Sequence, residues 1–226
     1  MADRYLKATG NWADNNTWSA TDGGAAGATI PVAGDNVNFT TNGKGLTLTG
    51  AVAAACANFI VSPGCTATFT QPGFNLQVLG TVVVLQNTFT LGGNPILWVL
   101  GAGGVFTSNG KNVGTFYVRG DITLQDNLTA SVLLTLDSSN TILNTGGYTL
   151  TLGAFYLQGD GIQTLNITNS TINCTSVEHN ASANLTFINN GATINCSGNF
   201  TGGGFSYPTV NLTGDTSTIT GNNTFA

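Results

Sequence analysis

The sequence predicts an all-β protein, folded as a right-handed parallel β-solenoid behind an N-terminal capping segment. Three observations support this fold class. Residues that usually form surface helices are nearly missing, short runs alternate apolar and polar residues along most of the chain, and the run at 171–174 returns with the same letters at 193–196. A repeat at this interval indicates stacked structural units.

The composition favours strands and turns over helices. Only 7% of the 226 residues are charged, against about 25% in an average soluble domain, and 31 are glycine. Glu178 is the single glutamate, and lysine and arginine together number five. Thr, Val and Phe suit a pleated sheet, whereas Gly and Asn suit its turns. At 41% hydrophobic residues the chain has ample material for a core, so disorder is not expected.

The charge and the apolar stretches limit the classes of partner. The net charge is −5 and the basic residues are scattered, so no nucleic-acid partner is predicted. The most apolar stretch, residues 95–106, is too short for the ~20 residues of a membrane helix. The start of the chain lacks the apolar region of a signal peptide, which predicts synthesis in a reducing cytoplasm. The four cysteines are therefore expected to be thiols.

Nine short runs with a two-residue period, bounded by Gly, Asn, Asp or Pro, predict strands. They are "GLTLTG" (45–50), "TATFT" (66–70), "FNLQVLG" (74–80), "TFTLGG" (88–93), "DITLQD" (121–126), "YTLTLG" (148–153), "NLTFIN" (184–189), "TVNLTG" (209–214) and "STITGN" (217–222). Residues 51–59 ("AVAAACANF") are the one stretch where a short helix is an alternative. Residues 41–226 are predicted to form eight or nine rungs.

The clearest repeat is the pair Thr171–Cys174 and Thr193–Cys196, both reading "TINC". "TLTL" at 149–152 precedes the first copy by the same interval, and we expect residues 218–220 to continue the series. In addition, "FYVRGD" (116–121) returns as "FYLQGD" (155–160), an interval of about two turns. A sandwich of hairpins, which needs no fixed interval, is the second choice.

Stacked coils place matching letters one above another, with strands ~4.8 Å apart. Aliphatic or Asn columns are then favourable and columns of like charge are not, which accounts for the low charge content. Cys174 and Cys196 become vertical neighbours. They are expected to be small buried thiols; a disulfide is the alternative, although stacked parallel positions suit its geometry poorly.

Residues 1–40 depart from the strand rhythm and are predicted to cap or dock the first rung. A solenoid has open ends that must be covered. Tyr5, Trp12 and Trp18 are the candidate residues for this role, with carbohydrate stacking by either tryptophan as an alternative.

The head of the chain also resembles a known group of proteins. The order "GNW", "NNTWSATDGGAAGA", Pro31 and "GDNVNF", followed by strand-rich repeats that end in "STITGNNTF", is similar to β-repeat structural proteins of tailed bacteriophages and some bacterial surface proteins. The resemblance implies a structural role in a virion or on a cell surface and transfers no catalytic residue. Members of this group tend to be longer, so a fragment, or a subunit that covers the last rung, is expected.

Candidates for chemistry are few. Glycoside hydrolysis needs two carboxylates roughly 5–9.5 Å apart. Asp121 and Asp160 hold equivalent places in the "FY..GD" echo, and Tyr117 and Tyr156 could line a glycan groove beside them. However, "GD" is also a common turn in which Asp bonds to the backbone. His179 is the single histidine, and its polar surroundings predict an exposed loop between rungs.

The leading hypothesis is a non-enzymatic bacteriophage structural protein, either capsid decoration or part of a tail fibre or spike, made in the host cytoplasm and located in the virion. No catalytic, metal or cofactor site is predicted. The expected partners are other virion proteins or sister copies, with a trimer if the chain belongs to a fibre. The alternatives are a tail spike that binds or cleaves a host surface glycan, and a bacterial adhesin fragment.

Overall fold

The computed structural model describes residues 1–50, 54–71, 75–93, 96–99, 101–158, 161–179 and 184–225. It is a β-solenoid of about eight turns made of parallel stacked coils, as the sequence predicted. Two short 3-10 helices span Asn15–Thr17 and Thr41–Gly43. The strands are β1 (Asp3–Leu6), β2 (Gly10–Asn11), β3 (Trp18–Ser19), β4 (Asn36–Phe39), β5 (Thr47–Thr49), β6 (Ala54–Cys56), β7 (Phe59–Val61), β8 (Thr68–Gln71), β9 (Asn75–Val78), β10 (Val82–Val84), β11 (Thr90–Gly93), β12 (Ile96–Val99), β13 (Gly104–Thr107), β14 (Thr115–Val118), β15 (Asp121–Leu124), β16 (Leu128–Leu136), β17 (Thr141–Asn144), β18 (Thr149–Leu157), β19 (Gln163–Asn166), β20 (Thr171–His179), β21 (Leu185–Ile188), β22 (Thr193–Cys196), β23 (Phe200–Thr201), β24 (Ser206–Tyr207), β25 (Val210–Leu212), β26 (Ile219–Thr220) and β27 (Thr224–Phe225).

Three main sheets run along the solenoid axis, and β24 and β27 form a separate two-stranded parallel sheet. Sheet A contains β1, β4, β7, β10, β13, β15, β17, β19 and β21 in that spatial order, with β3 added antiparallel to β1. Sheet B contains β2, β5, β8 and β11, and sheet C runs from β6 through β9, β12, β14, β16, β18, β20 and β22 to β25. Non-consecutive strands are therefore hydrogen-bonded, which is the pattern of stacked coils and not of hairpins.

The early coils visit the sheets in the order A, B and C, while the later coils have two sides. In β16, β18 and β20, one long strand replaces the two short strands of sheets B and C, and in the next coil β22 and β23 are again separate strands. The pairing of β16 with β18 shifts in register between Ala130 and Leu133, where the strand bends. Gly153 lies at this bend. A Cβ there would come within 2.4 Å of the Ser131 and Val132 carbonyl oxygens, so only glycine fits.

The "TINC" repeat is a pair of neighbouring strands, as predicted. Thr171 to Cys174 of β20 pair residue by residue with Thr193 to Cys196 of β22, so Ile172 faces Ile194. Thr149 to Leu152 of β18 pair with the same four residues of β20 from the other side. The interval in the sequence therefore corresponds to one coil.

The predicted continuation of this column at residues 218–220 is wrong. Val210 of β25 pairs with Ile194, whereas Ile219 of β26 pairs with Phe200 of β23. The coil after β22 is shorter at this column, since the step from Ile194 to Val210 is smaller than the step from Ile172 to Ile194. A search for a constant interval misses this change. The echo of residues 116–118 at 155–157 is confirmed, because β14 and β18 both pair with β16.

Asparagine columns form along the axis, as the composition indicated. The Asn195 side-chain amide donates to Asn173 Oδ1 at 2.8 Å, and the Asn211 side-chain amide donates to Asn195 Oδ1 at 2.8 Å. On sheet A, Asn58 donates to Asn36 and Asn36 donates to Asp3, both at 2.8 Å. Each amide has both a donor and an acceptor, so it can pair with the coils above and below at once.

The N-terminal segment belongs to the stack. Its strands β1 and β4 pair in parallel within sheet A, and β2 pairs with β5 in sheet B, so no break in the stack occurs at residue 40. Strand β3 then covers the free edge of β1 in antiparallel orientation. The sequence did not reveal these strands because they are short. The helical alternative for residues 51–59 is also wrong for its described part, which contains β6 and the first residue of β7.

One apolar core fills the interior along the axis. Aromatic rings from different coils pack together within it; for example, the Phe39 ring centroid is 5.1 Å from that of Phe59 and 4.9 Å from that of Phe89. The two ends of the stack differ. Trp12 and Trp18 are buried at the N-terminal end, whereas Ile219 and Phe225 in the last described coil are 46% and 44% exposed.

We predict that Gly101→Ala is strongly destabilising. A Cβ at Gly101 would lie 1.7 Å from the Gly80 carbonyl oxygen on the coil below, so the backbone would have to move. Chemical denaturation should show a loss of about 1–3 kcal/mol or more in unfolding free energy. Gly34→Ala is the matched control, because Gly34 is exposed and a Cβ there meets no atom within 4 Å. Equal stability of the two variants would contradict the close approach of the backbone at Gly101 to that at Gly80.

Candidate functional site

The outer face of sheet C carries a column of aromatic and hydroxyl side chains. Trp98, Tyr117, Thr135 and Tyr156 occupy matching positions on β12, β14, β16 and β18. They alternate with buried residues such as Phe116, so they project from the opposite side of the sheet to the core. We call these four residues the outer column. Gln77 lies below it and Glu178 above it in the same register.

An ion pair lies beside the outer column. Arg119 follows β14 and donates from Nε and Nη2 to the two carboxylate oxygens of Asp137 at 2.8 and 2.5 Å. Its guanidinium carbon is 3.8 Å from the Trp98 ring centroid, and the Trp98 and Tyr117 centroids are 5.7 Å apart. The hydrogen bond to Asp137 raises the pKa of Arg119. The fork geometry and the ring contact hold the guanidinium in place.

Two polar atoms of the outer column are buried without a hydrogen-bond partner. They are Thr135 Oγ1 and Trp98 Nε1. Thr135 is only 2% exposed, although it projects from the outer face, and its neighbours along the column are Tyr117 and Tyr156. An unpaired buried hydroxyl or indole N–H costs about 1–3 kcal/mol, so such groups are uncommon in native proteins. These two atoms mark a place where the fold leaves hydrogen-bonding capacity unused.

Of the two carboxylates named from the sequence, only Asp121 belongs to the part of the chain that the structure describes. Asp121 is the half-buried first residue of β15 on sheet A, and Asp160 lies outside the described residues. Asp126 accepts hydrogen bonds from the Ser108 and Asn109 backbone amides at 2.8 and 2.5 Å, so it stabilises a turn. The predicted groove residues Tyr117 and Tyr156 do share one column, but Asp121 is on another sheet.

The prediction of an exposed loop at His179 is wrong. His179 ends β20 and is fully buried among aromatic rings, with centroids of Phe155 at 5.0 Å and Phe187 at 5.9 Å. Its polar sequence neighbours hid this, because alternate residues of a strand face opposite sides. Glu178 faces outward in the register of the outer column, and His179 faces the core.

The hydrogen bonds around His179 assign its tautomer. The Tyr207 hydroxyl donates to the Gly202 carbonyl oxygen at 2.7 Å, so its proton is engaged there. The 2.6 Å contact between His179 Nδ1 and the Tyr207 oxygen is then an Nδ1–H donation. Nε2 carries no proton and has no partner. Burial lowers the pKa of His179 to about 3, since a charged imidazolium would be unpaired in the core.

The N-terminal candidates are mostly inside the protein. Trp12 and Trp18 are 2% and 0% exposed, and their rings meet edge to face at 5.3 Å. Trp18 Nε1 donates to the Trp12 carbonyl oxygen at 2.8 Å. Neither ring is therefore accessible for sugar stacking or for docking through its face. Tyr5 is half-buried on β1, between Ser19 and Asn38.

The four cysteines are free and buried, in agreement with the thiol interpretation. Cys174 and Cys196 are vertical neighbours, and a hydrogen bond to Cys196 together with burial raises the pKa of Cys174. Over the described ranges, no group of three or more His, Cys, Asp and Glu side chains could hold a metal ion. Within the same part of the chain, no helix is long and apolar enough to cross a bilayer.

Comparisons of the chain with protein-family models, with curated proteins and with solved structures find no match. The assignment of a site consequently depends on its own geometry.

Sequence reasoning missed Trp98, Thr135 and the Arg119–Asp137 pair as neighbours of Tyr117. A signal was present, because the members of the outer column, at positions 98, 117, 135 and 156, follow one another at similar intervals. These intervals are close to one coil but not constant. They become visible as one column only when the strand register is known.

We predict that His179 makes the protein less stable in mild acid. Its folded pKa lies below the unfolded value of about 6.5, so the unfolded state binds the extra proton first, and stability falls as pH falls from about 6.5 towards 3. This group should account for a loss of about 2 kcal/mol between about pH 7 and pH 5. Urea denaturation over this range measures it.

His179→Phe should flatten that part of the pH profile, since no titrating group remains at the position. Tyr207→Phe is the matched control, because it removes the Nδ1 partner and keeps the buried histidine. It should retain the slope at lower overall stability. Parallel profiles for the wild type and His179→Phe would contradict the assignment.

Proposed function

We propose that this chain is a non-enzymatic structural element of a bacteriophage particle, serving as capsid decoration or as part of a tail fibre or spike. The observation that carries the proposal is the continuous in-register stack from β1 to β25. Each coil is hydrogen-bonded to the next in parallel, and one core runs through the interior. Such a stack is suited to bearing load at an exposed surface, where stiffness and resistance to proteolysis matter.

The resemblance of the head segment and the closing repeats to β-repeat proteins of tailed bacteriophages supplies the biological setting. The buried Trp12–Trp18 pair and strand β3 suit this role as well, because they cover the first coil. The same pair is too deeply buried to be the docking surface. Contact with neighbouring subunits is therefore assigned to the lateral faces or to the last coil, where Ile219 and Phe225 are exposed.

Localisation in purified particles tests this function. Antibodies against the recombinant chain should label density-gradient-purified particles from a culture that propagates the encoding genome. The chain should also remain with the particles after washing in high salt. Detection in the soluble lysate alone would overturn the proposal, and labelling of the bacterial envelope without particles would favour the adhesin alternative.

The proposal that the chain has no enzymatic activity is tested separately. The purified chain should release no reducing ends from host surface polysaccharide. Release that is lost in Asp121→Asn or Asp160→Asn, but retained in Asp215→Asn, would instead identify a glycan-cleaving spike. Asp215 is a suitable control because it is exposed in the turn before β26.

A further inference from the structure

We propose that the outer column of sheet C is a non-catalytic binding site for a neutral carbohydrate. The site consists of Tyr117 and Tyr156 as aromatic walls, Thr135 between them, and Trp98 with the Arg119–Asp137 pair at one side. This inference goes beyond the structural role, since the stack would form whether or not it binds a sugar.

The spacing of the two tyrosines fits a saturated ring. Tyr117 and Tyr156 are two coils apart, with Thr135 on the coil between them. Two strand spacings amount to about 10 Å. A ring in van der Waals contact with each wall needs roughly 3.5–4 Å on either side, so the strand spacing admits a pyranose between the two tyrosines once Thr135 is uncovered. The apolar C–H faces of the sugar would then pack on the tyrosine rings.

The unpaired polar atoms indicate that the ligand carries hydroxyl groups. Thr135 Oγ1 can donate and accept, and Trp98 Nε1 can donate, yet neither has a partner in the protein. Thr135 is 2% exposed, and Tyr117 and Tyr156, which flank it in the outer column, are half-buried. Rotation of partly exposed side chains takes picoseconds to nanoseconds, so the hydroxyl can be uncovered. A purely apolar ligand would leave both atoms unsatisfied.

The charges favour a neutral ligand. Arg119 is committed to Asp137 through two hydrogen bonds, and its face lies on Trp98, so it is not a free anion receptor. The Asp137 carboxylate is equally neutralised and offers no site for a cation. Its remaining lone pairs can still accept from sugar hydroxyls, since each oxygen takes more than one donor.

The column also continues along the axis beyond the two tyrosines. Gln77 and Glu178 extend the column at its two ends, one coil beyond Trp98 and Tyr156. Side chains of the column recur at the strand spacing of ~4.8 Å. An extended chain of sugar units has a comparable repeat, so an oligosaccharide running along the column could contact several coils. The ligand class we assign is therefore a neutral hexopyranose oligosaccharide.

Nuclear magnetic resonance of the full chain tests this assignment. The probes are cellohexaose, mannohexaose and a linear galactan oligosaccharide, each titrated into the ¹⁵N-labelled protein. At least one should shift the indole N–H resonance of half-buried Trp98, while those of the fully buried Trp12 and Trp18 stay unchanged. The absence of a Trp98 shift with all three, or shifts confined to another surface, would overturn the proposal.

Thr135→Val separates binding from folding. It keeps the shape of the side chain and removes a hydroxyl that has no protein partner, so unfolding free energy should be unchanged or higher. Affinity should fall by about tenfold, the factor that corresponds to about 1.4 kcal/mol. Thr123→Val is the matched control on sheet A and should bind as the wild type. Wild-type affinity in Thr135→Val would contradict the site.

The aromatic walls are tested by Tyr117→Ala and Tyr156→Ala, with the corresponding Phe variants as controls. Loss of the ring should abolish the Trp98 shift, whereas Phe should retain most of it. Binding that survives both Ala variants would show that the sugar lies elsewhere.

Discussion

In-register stacking of successive coils is the constraint on which the rest of this structure depends. Because each residue has the equivalent residue of the next coil directly above it, the favourable side chains are those that tolerate or reward a like neighbour. Apolar side chains do so in the core, and asparagine does so outside it, as Asn173, Asn195 and Asn211 show. A column of equal charges would repel itself.

The same constraint explains the ion pair beside the outer column. Arg119 and Asp137 lie on consecutive coils, so stacking brings opposite charges together at a position where two like charges would be unfavourable. The turns between strands are also restricted in the residue types that they accept. At Gly80 and Gly101 the backbones of adjacent coils approach so closely that no side chain fits between them. Close stacking therefore selects residue types at the corners as strictly as in the core.

A few buried polar atoms have no hydrogen-bond partner in the stack, and they lie in two different environments. His179 Nε2 is enclosed by aromatic rings inside the last coils, where it is neutral. Thr135 Oγ1 and Trp98 Nε1 belong to side chains that project from the outer face of sheet C. Protonation of His179 lowers the stability of the folded state. The other two lie where an external ligand can satisfy them, which is why the site is assigned to this face and not to the interior.

The sequence by itself determined the fold class, because composition and two-residue periodicity are local properties, and the repeat of "TINC" reports the length of a coil. It also indicated the asparagine columns and the buried thiols. Only the tertiary structure decided which residues share a column, since the coil length varies and a shift in register changes every neighbour. For this reason residues 218–220 were placed in the wrong column, His179 was assigned to the surface, and Trp98 was not connected with Tyr117. Side-chain contacts between coils depend on register, and hydrogen bonding between strands sets the register.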